Sequence, residues 1–238
     1  MRRPNLALWT MTAVSFGTGA LDAATYLGMD GVFGANMTGN VILIALSIAG
    51  EGVHPFIGPA MALGGFITGS WLLGLTARRY PKDSTPDPVV APVFAVCAVG
   101  LLTITTVLLW LPMTGTLLHT ATFTIGLLMG FQALAARRVG VPDISTVVIT
   151  STLSLLFGEA GRFRGGASRI ATGRRTAAVL SMFLGAVSGA LLLKIGLMVA
   201  LLLPTTILTA VAIIYTTRAV VLRKRLRQAT QPKEFVDA

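Results

Sequence analysis

Asp22 stands inside the apolar run 6–28, with no basic residue at helical spacing from it. A carboxylate at that depth is costly, and it marks a functional site by default: it could bind a cation, relay a proton or hold a substrate amine. The plainer alternative is that it carries a proton throughout, or caps a helix broken around Gly17 and Gly19. A second polar group lies in Val32-Phe33-Gly34-Ala35-Asn36-Met37-Thr38-Gly39-Asn40. Glycines at 31, 34 and 39 disfavour a continuous helix there. Asn and Thr are good N-caps, so the stretch is expected to run extended and turn into a helix near Asn36 or Thr38. In the second half, Gln132 offers an uncharged donor and acceptor. The β-branched run 144–152 then supplies hydroxyls at Thr150, Ser151 and Thr152 where another helix could begin.

Two such half-helices would aim free backbone N–H groups and their positive ends at a common centre. Unwound backbone at membrane depth survives only when buried in protein or lining a cavity. The candidate solute-binding set is therefore Asp22, Asn36, Thr38, Asn40, Gln132 and Thr150. The competing reading is two ordinary bent helices satisfied by their own side chains.

The elements that must hold these residues are membrane helices. Only 12% of the 238 residues are charged and 54% are hydrophobic, with a mean hydropathy of +0.79. A soluble domain carries roughly 25% charged residues, so this chain cannot cover itself with a solvated surface. Six runs, 6–28, 55–76, 89–111, 116–136, 176–195 and 197–217, are each long enough to cross hydrocarbon about 30 Å thick. The first run follows Arg2 and Arg3 as a signal peptide would, but it is too long for one and reads as a first span. Segments 31–49 and 141–157 are apolar but irregular.

Charge decides between two topologies. If both irregular segments are re-entrant, then of 19 Lys and Arg only Lys194 falls outside, and both termini are cytoplasmic. If both cross, giving eight spans in a 4+4 arrangement, Arg78, Arg79, Lys82, Arg137 and Arg138 join Lys194 outside. The first arrangement is favoured. The net charge of +10 is then a topology signal, since the basic clusters lack the folded basic face that nucleic acid requires.

The halves, about 1–112 and 113–222, also resemble one another. Sixteen residues separate Asp22 from Thr38, and eighteen separate Gln132 from Thr150. Gly65-xxx-Gly69 is matched by Gly185-xxx-Gly189, small-residue patterns that let helix backbones meet and that read as seams between the halves. A homodimer contact through them stays open. With three full spans per half the second copy must be inverted, which is the pattern of transporters.

Other chemistries lack their residues. Single Cys97 allows no intrachain disulfide, and two histidines with one cysteine make no usual zinc site. No metalloprotease, P-loop or nucleophile-elbow motif appears, so no enzyme, metal or cofactor is expected. The stretch Arg218–Arg227 is a basic helix extension that suits an anionic leaflet, and 223–238 forms a basic cytoplasmic tail.

Gly-x-x-Asp22-Ala, Val-Phe-Gly-Ala-Asn36-Met-Thr38-Gly-Asn40, Gly-Phe-Gln132-Ala-x-x-x-Arg and Thr150 together resemble the YoaK family of bacterial membrane proteins, a domain of unknown function. The resemblance covers essentially the whole chain, and Asn-Met-Thr-Gly-Asn is its most specific element. The second half departs from the family pattern, with Ala133 in place of Asn and Ser151 in place of Gly. The resemblance implies a multi-pass protein of the bacterial plasma membrane with no settled substrate. The resulting expectation is an all-α integral membrane protein with six transmembrane helices, two re-entrant segments and an inverted 3+3 repeat. It would act as a secondary transporter or permease of a small polar or anionic solute, coupled to a proton or cation through Asp22. The alternative is a non-transporting accessory or lipid-binding membrane protein.

Overall fold

The computed structural model describes residues 4–51, 55–81, 87–141 and 166–230, with Ser154 alone between the last two stretches. They form the helices α1 (Pro4–Gly28), α2 (Met37–Ile48), α3 (Ile57–Ala77), α4 (Val90–Trp110), α5 (Gly115–Val139), α6 (Gly166–Leu193) and α7 (Leu197–Thr230). Five helices are long and apolar enough to cross a membrane: α3, α4, α5, the Thr172–Leu193 part of α6 and the Leu197–Leu226 part of α7. The chain is an all-α multi-pass membrane bundle.

The expected first span, α1, is long enough but not among these five, and its surroundings explain why. Of its described side chains only Trp9 and Leu27 are exposed. A helix enclosed by other helices can carry Thr10, Ser15, Thr18, Asp22 and Thr25 on buried faces. Four of these hydroxyls bond back to their own helix, Thr10 to Leu6, Ser15 to Met11, Thr18 to Val14 and Thr25 to Leu21. That satisfies them without water. α1 also runs unbroken through Gly17 and Gly19, so Asp22 caps no break there.

The segment 31–49 behaves as its glycines and caps suggest. Residues 29–36 are non-helical, Gly31 has a positive φ of 67°, and α2 begins at Met37 behind Asn36. At 12 residues, α2 is about 18 Å long, too short for the hydrocarbon. Segment 141–157, its expected counterpart, lies outside the described residues apart from Val141 and Ser154.

Close backbone approaches give the helices their directions. On α6, a Cβ at Gly185 would strike the Phe16 carbonyl and one at Gly189 the Ala20 carbonyl; on α1, one at Gly19 would strike that of Met182. From the Gly185–Phe16 contact to the Gly189–Ala20 contact the numbers rise together, so α1 and α6 are parallel. On α3, Gly65 meets Phe123 and Gly69 meets Leu127, while Gly126 of α5 meets Ala62, so α3 and α5 are parallel too. Thr18 faces Gln132 at 3.2 Å and Asp30 faces His119 at 3.7 Å, which makes α1 and α5 antiparallel. Consequently α1 and α3 run in opposite senses. Gly58 at the start of α3 indeed packs on the Asp30 side chain just beyond α1. Both glycine pairs are thus used within the chain, and the helix-pair contacts suggest repeat packing.

α4 packs antiparallel to α5 and α7. Phe94 stacks on Tyr215 with ring centroids 5.6 Å apart, Thr105 meets Thr205 at 3.4 Å, and the fully buried Cys97 thiol donates to the Leu128 carbonyl at 3.2 Å. At the end of the bundle holding the α5 C-terminus, Arg138 binds Asp87 at 2.9 Å and donates to the carbonyls of Ala77, Tyr80 and Pro81. One planar fork thereby ties α5 to the last turn of α3 and the approach to α4. Lysine cannot reproduce that fork, so Arg138→Lys should cost about 2 kcal/mol of stability, read as a lower melting temperature in detergent. An unchanged melt would show the fork to be dispensable.

Candidate functional site

The polar centre is built on one face of α1. Thr18, Asp22 and Thr25 are all buried and spaced to project along one stripe. Against this stripe lies the unwound segment 29–36, whose backbone cannot bond to itself and must find partners elsewhere. Asp22 Oδ1 accepts the Ala35 N–H at 2.7 Å and the Asn36 N–H at 3.3 Å. Thr25 Oγ1 accepts the Gly34 N–H at 3.0 Å. Asn40, fully buried on the first turn of α2, reaches back to both main-chain polar groups of Phe33. Its Oδ1 accepts the Phe33 N–H at 2.9 Å and its Nδ2 donates to the Phe33 carbonyl at 2.7 Å. Asn36 then caps α2, its side chain accepting the Gly39 N–H at 3.4 Å.

Two details fix the geometry further. The Phe33 ring stacks on Tyr26 with centroids 4.7 Å apart, and it lies so close to Gly39 that a Cβ there would sit 2.6 Å from the ring. The Asn-Met-Thr-Gly-Asn run is therefore read position by position: cap, first turn, then a gap for Phe33, then a peptide clamp.

The expected residues divide into four groups. Asp22, Asn36 and Asn40 meet on the unwound segment. Gln132 lies one turn away along α1, donating to Thr18 rather than joining Asp22. It lines a crevice with Val14, Gly17, Leu21, Met129, Pro204, Ile207 and Leu208 that is mostly apolar and too narrow to admit a water molecule. Thr38 is exposed, because on α2 it points away from the face that carries Asn40. Thr150 lies outside the described residues. Sequence reasoning missed Thr25 and Thr18, although their spacing from Asp22, three and four residues, is the helical signal that could have found them.

Asp22 is only 6% exposed, and its Oδ2 is buried without a hydrogen-bond partner among the described residues. The N-terminus of α2 adds a positive dipole end beside Oδ1. Among the described residues no three His, Cys, Asp or Glu side chains gather as metal ligands. The arrangement can hold a charge or a proton on Asp22 and can fix or release the unwound chain.

A family model described as a protein of unknown function (DUF1275) matches residues 10–214. The UPF0700 transmembrane protein YoaK of Bacillus subtilis (strain 168) is 30% identical over 162 residues, 68% of each chain. No solved structure matches. A match over most of the bundle, from the first turns of α1 into α7, places this chain in the DUF1275 (YoaK) family of bacterial membrane proteins.

Proposed function

We propose that the protein is a secondary transporter of a small polar or anionic solute in the bacterial plasma membrane, built as an inverted repeat of three spans with one re-entrant segment in each half. The observation that carries this reading is the unwound segment 29–36 held on Asp22. The close contacts support a pseudo-two-fold relation. Phe16, Gly19 and Ala20 of α1 play the parts of Phe123, Gly126 and Leu127 of α5, each 107 positions on; Ala62, Gly65 and Gly69 of α3 play those of Met182, Gly185 and Gly189 of α6, each 120 on. In this register Thr25 corresponds to Gln132 and Asp22 to Met129, one turn from the pairing expected between Asp22 and Gln132.

Depth follows from the same contacts. Four residues up α1 from Thr18, and four down α5 from its partner Gln132, Asp22 comes level with Leu128. Its own counterpart, Met129, is the next residue. Asp22 thus lies close to the plane of the pseudo-axis, which in inverted-repeat transporters is the midplane that holds solute and coupling ion. The helix directions also gather Arg78, Arg79, Arg137, Arg138 and Arg218 at one end, supporting cytoplasmic termini.

A second reading has its own observation. The crevice beside Gln132 is dry and mainly apolar, as in a membrane protein that moves nothing and serves a partner or a lipid. On the transport reading it is the closed state. The two readings part in vesicles. Wild type should accumulate a labelled small organic anion against its gradient, and Asp22→Asn should abolish accumulation while inserting in equal amount. If Asp22→Asn accumulates solute as well as wild type, the coupling role of Asp22 is wrong. If no small anion or polar solute of a broad panel is moved by wild type, the accessory reading stands instead.

A further inference from the structure

The polar atoms around Asp22 discriminate between the two kinds of ion that a carboxylate could couple. Every group the described structure aims at this side chain is a hydrogen-bond donor. Oδ1 takes the N–H groups of Ala35 and Asn36, and the neighbouring Gly34 N–H points into the same pocket to reach Thr25. The first turn of α2 stands behind these N–H groups with its positive dipole end. The oxygen atoms that could have served as further ligands are committed: Thr25 Oγ1 accepts from Gly34 and donates to the Leu21 carbonyl, and Asn40 Oδ1 is spent on the Phe33 N–H.

A metal cation needs a shell of several oxygen ligands. Here Oδ2 is the Asp22 oxygen left without a hydrogen-bond partner among the described residues, and the N–H groups that face the other oxygen would repel a cation. A proton needs a single lone pair and no shell. Oδ2 supplies that lone pair, buried and without a donor among the described residues.

We infer that Asp22 couples to a proton and not to a metal cation, with Oδ2 as the proton-bearing atom and the unwound segment 33–36 as the element it controls. This rests on the transport reading for its use but not for its test. The step is an O–H bond formed at Oδ2 from one side of the membrane and broken toward the other, while Oδ1 keeps its N–H partners. An ionised carboxylate accepts stronger hydrogen bonds than a neutral acid. Gain of the proton therefore weakens the hold of Asp22 on Ala35 and Asn36 and loosens the start of α2; loss of the proton tightens it again.

The ionisable groups on the elements packed around Asp22 stand apart from it. Tyr26 lies one turn on in α1, with Asp30 beyond the helix end against His119. Arg137 and Arg138 close α5, Arg174 and Arg175 lie in the third turn of α6, and Tyr215 pairs with Thr10 near the start of α1. Cys97 of α4 approaches the same level, but its thiol is turned onto the Leu128 carbonyl.

Infrared titration of the purified full-length protein tests the inference without knowledge of the solute. Wild type should give a carboxylic-acid C=O band that appears as pH falls, shifts on labelling with 13C-aspartate, survives in Asp30→Asn, and does not respond to exchanging sodium for choline. The band should be missing from Asp22→Asn. Should Asp22→Asn fail to fold, the isotope shift and the sodium comparison on wild type decide the question. A band that is absent, that persists in a folded Asp22→Asn, or that sodium displaces would overturn the proton assignment. Accumulation of solute without such a band would sink this inference and leave the transport reading intact. A band in a protein that moves nothing would do the reverse.

Discussion

Gly185→Val should prevent α1 and α6 from docking and leave little folded protein. A Cβ at this position would fall on the backbone carbonyl of Phe16, and backbone, unlike the end of a side chain, has no alternative rotamer to adopt. Overpacking of ordinary cores costs about 1–3 kcal/mol. Here two helix axes must separate along a seam that also includes Gly19 against Met182 and Gly189 against Ala20, so the loss should reach or exceed the top of that range. Gly65→Val, at the matching place in the α3–α5 seam against Phe123, should do comparable damage. Gly74→Ala, where nothing lies within 4 Å, should be silent. The measurement is the yield of monodisperse protein from membranes and its melting temperature. A Gly185→Val protein that melts with wild type would mean that α1 and α6 do not approach as described.

Asp22→Ala should be far more damaging than Asp22→Asn, and the gap between them measures the anchoring role. Alanine leaves the N–H groups of Ala35 and Asn36 buried without an acceptor, at about 1–3 kcal/mol each. Asparagine keeps an amide oxygen in the place of Oδ1, so it retains both bonds in weaker form. The expected order of melting temperatures is wild type, then Asp22→Asn close below, then Asp22→Ala well below. Equal melting of the two variants would remove the anchor. This order also makes the transport experiment interpretable, since a folded Asp22→Asn that cannot accumulate solute has lost coupling and not structure.

Much of the bundle was legible because hydrocarbon thickness sets helix length, and runs such as 89–111 and 116–136 differ from α4 and α5 by only a few residues. α6 starts ten residues earlier than its apolar run, and α7 continues through the basic stretch to Thr230. Helical hydrogen bonding does not stop where hydrophobicity does. The site was legible where local chemistry sufficed: glycines and caps mark the break before α2, and Asp22 is conspicuous by its charge. It was less legible where side chains act across the fold. Nothing local says that Asn40 folds back onto Phe33, that Thr38 points outward, or that Thr25 shares the load with Asp22. The helix-pair contacts suggest repeat packing, and which glycines touch which carbonyls emerged only from that packing.

The buried Cys97 has a practical consequence. Its sulfur is fully covered and its S–H engaged by the Leu128 carbonyl, so a membrane-permeant maleimide should leave the native protein unmodified. Reporter thiols can then be introduced one at a time into the otherwise natural chain, at Thr38 on α2 or at exposed Trp110, and each signal will belong to the inserted position. The molecule comes with its own silent background.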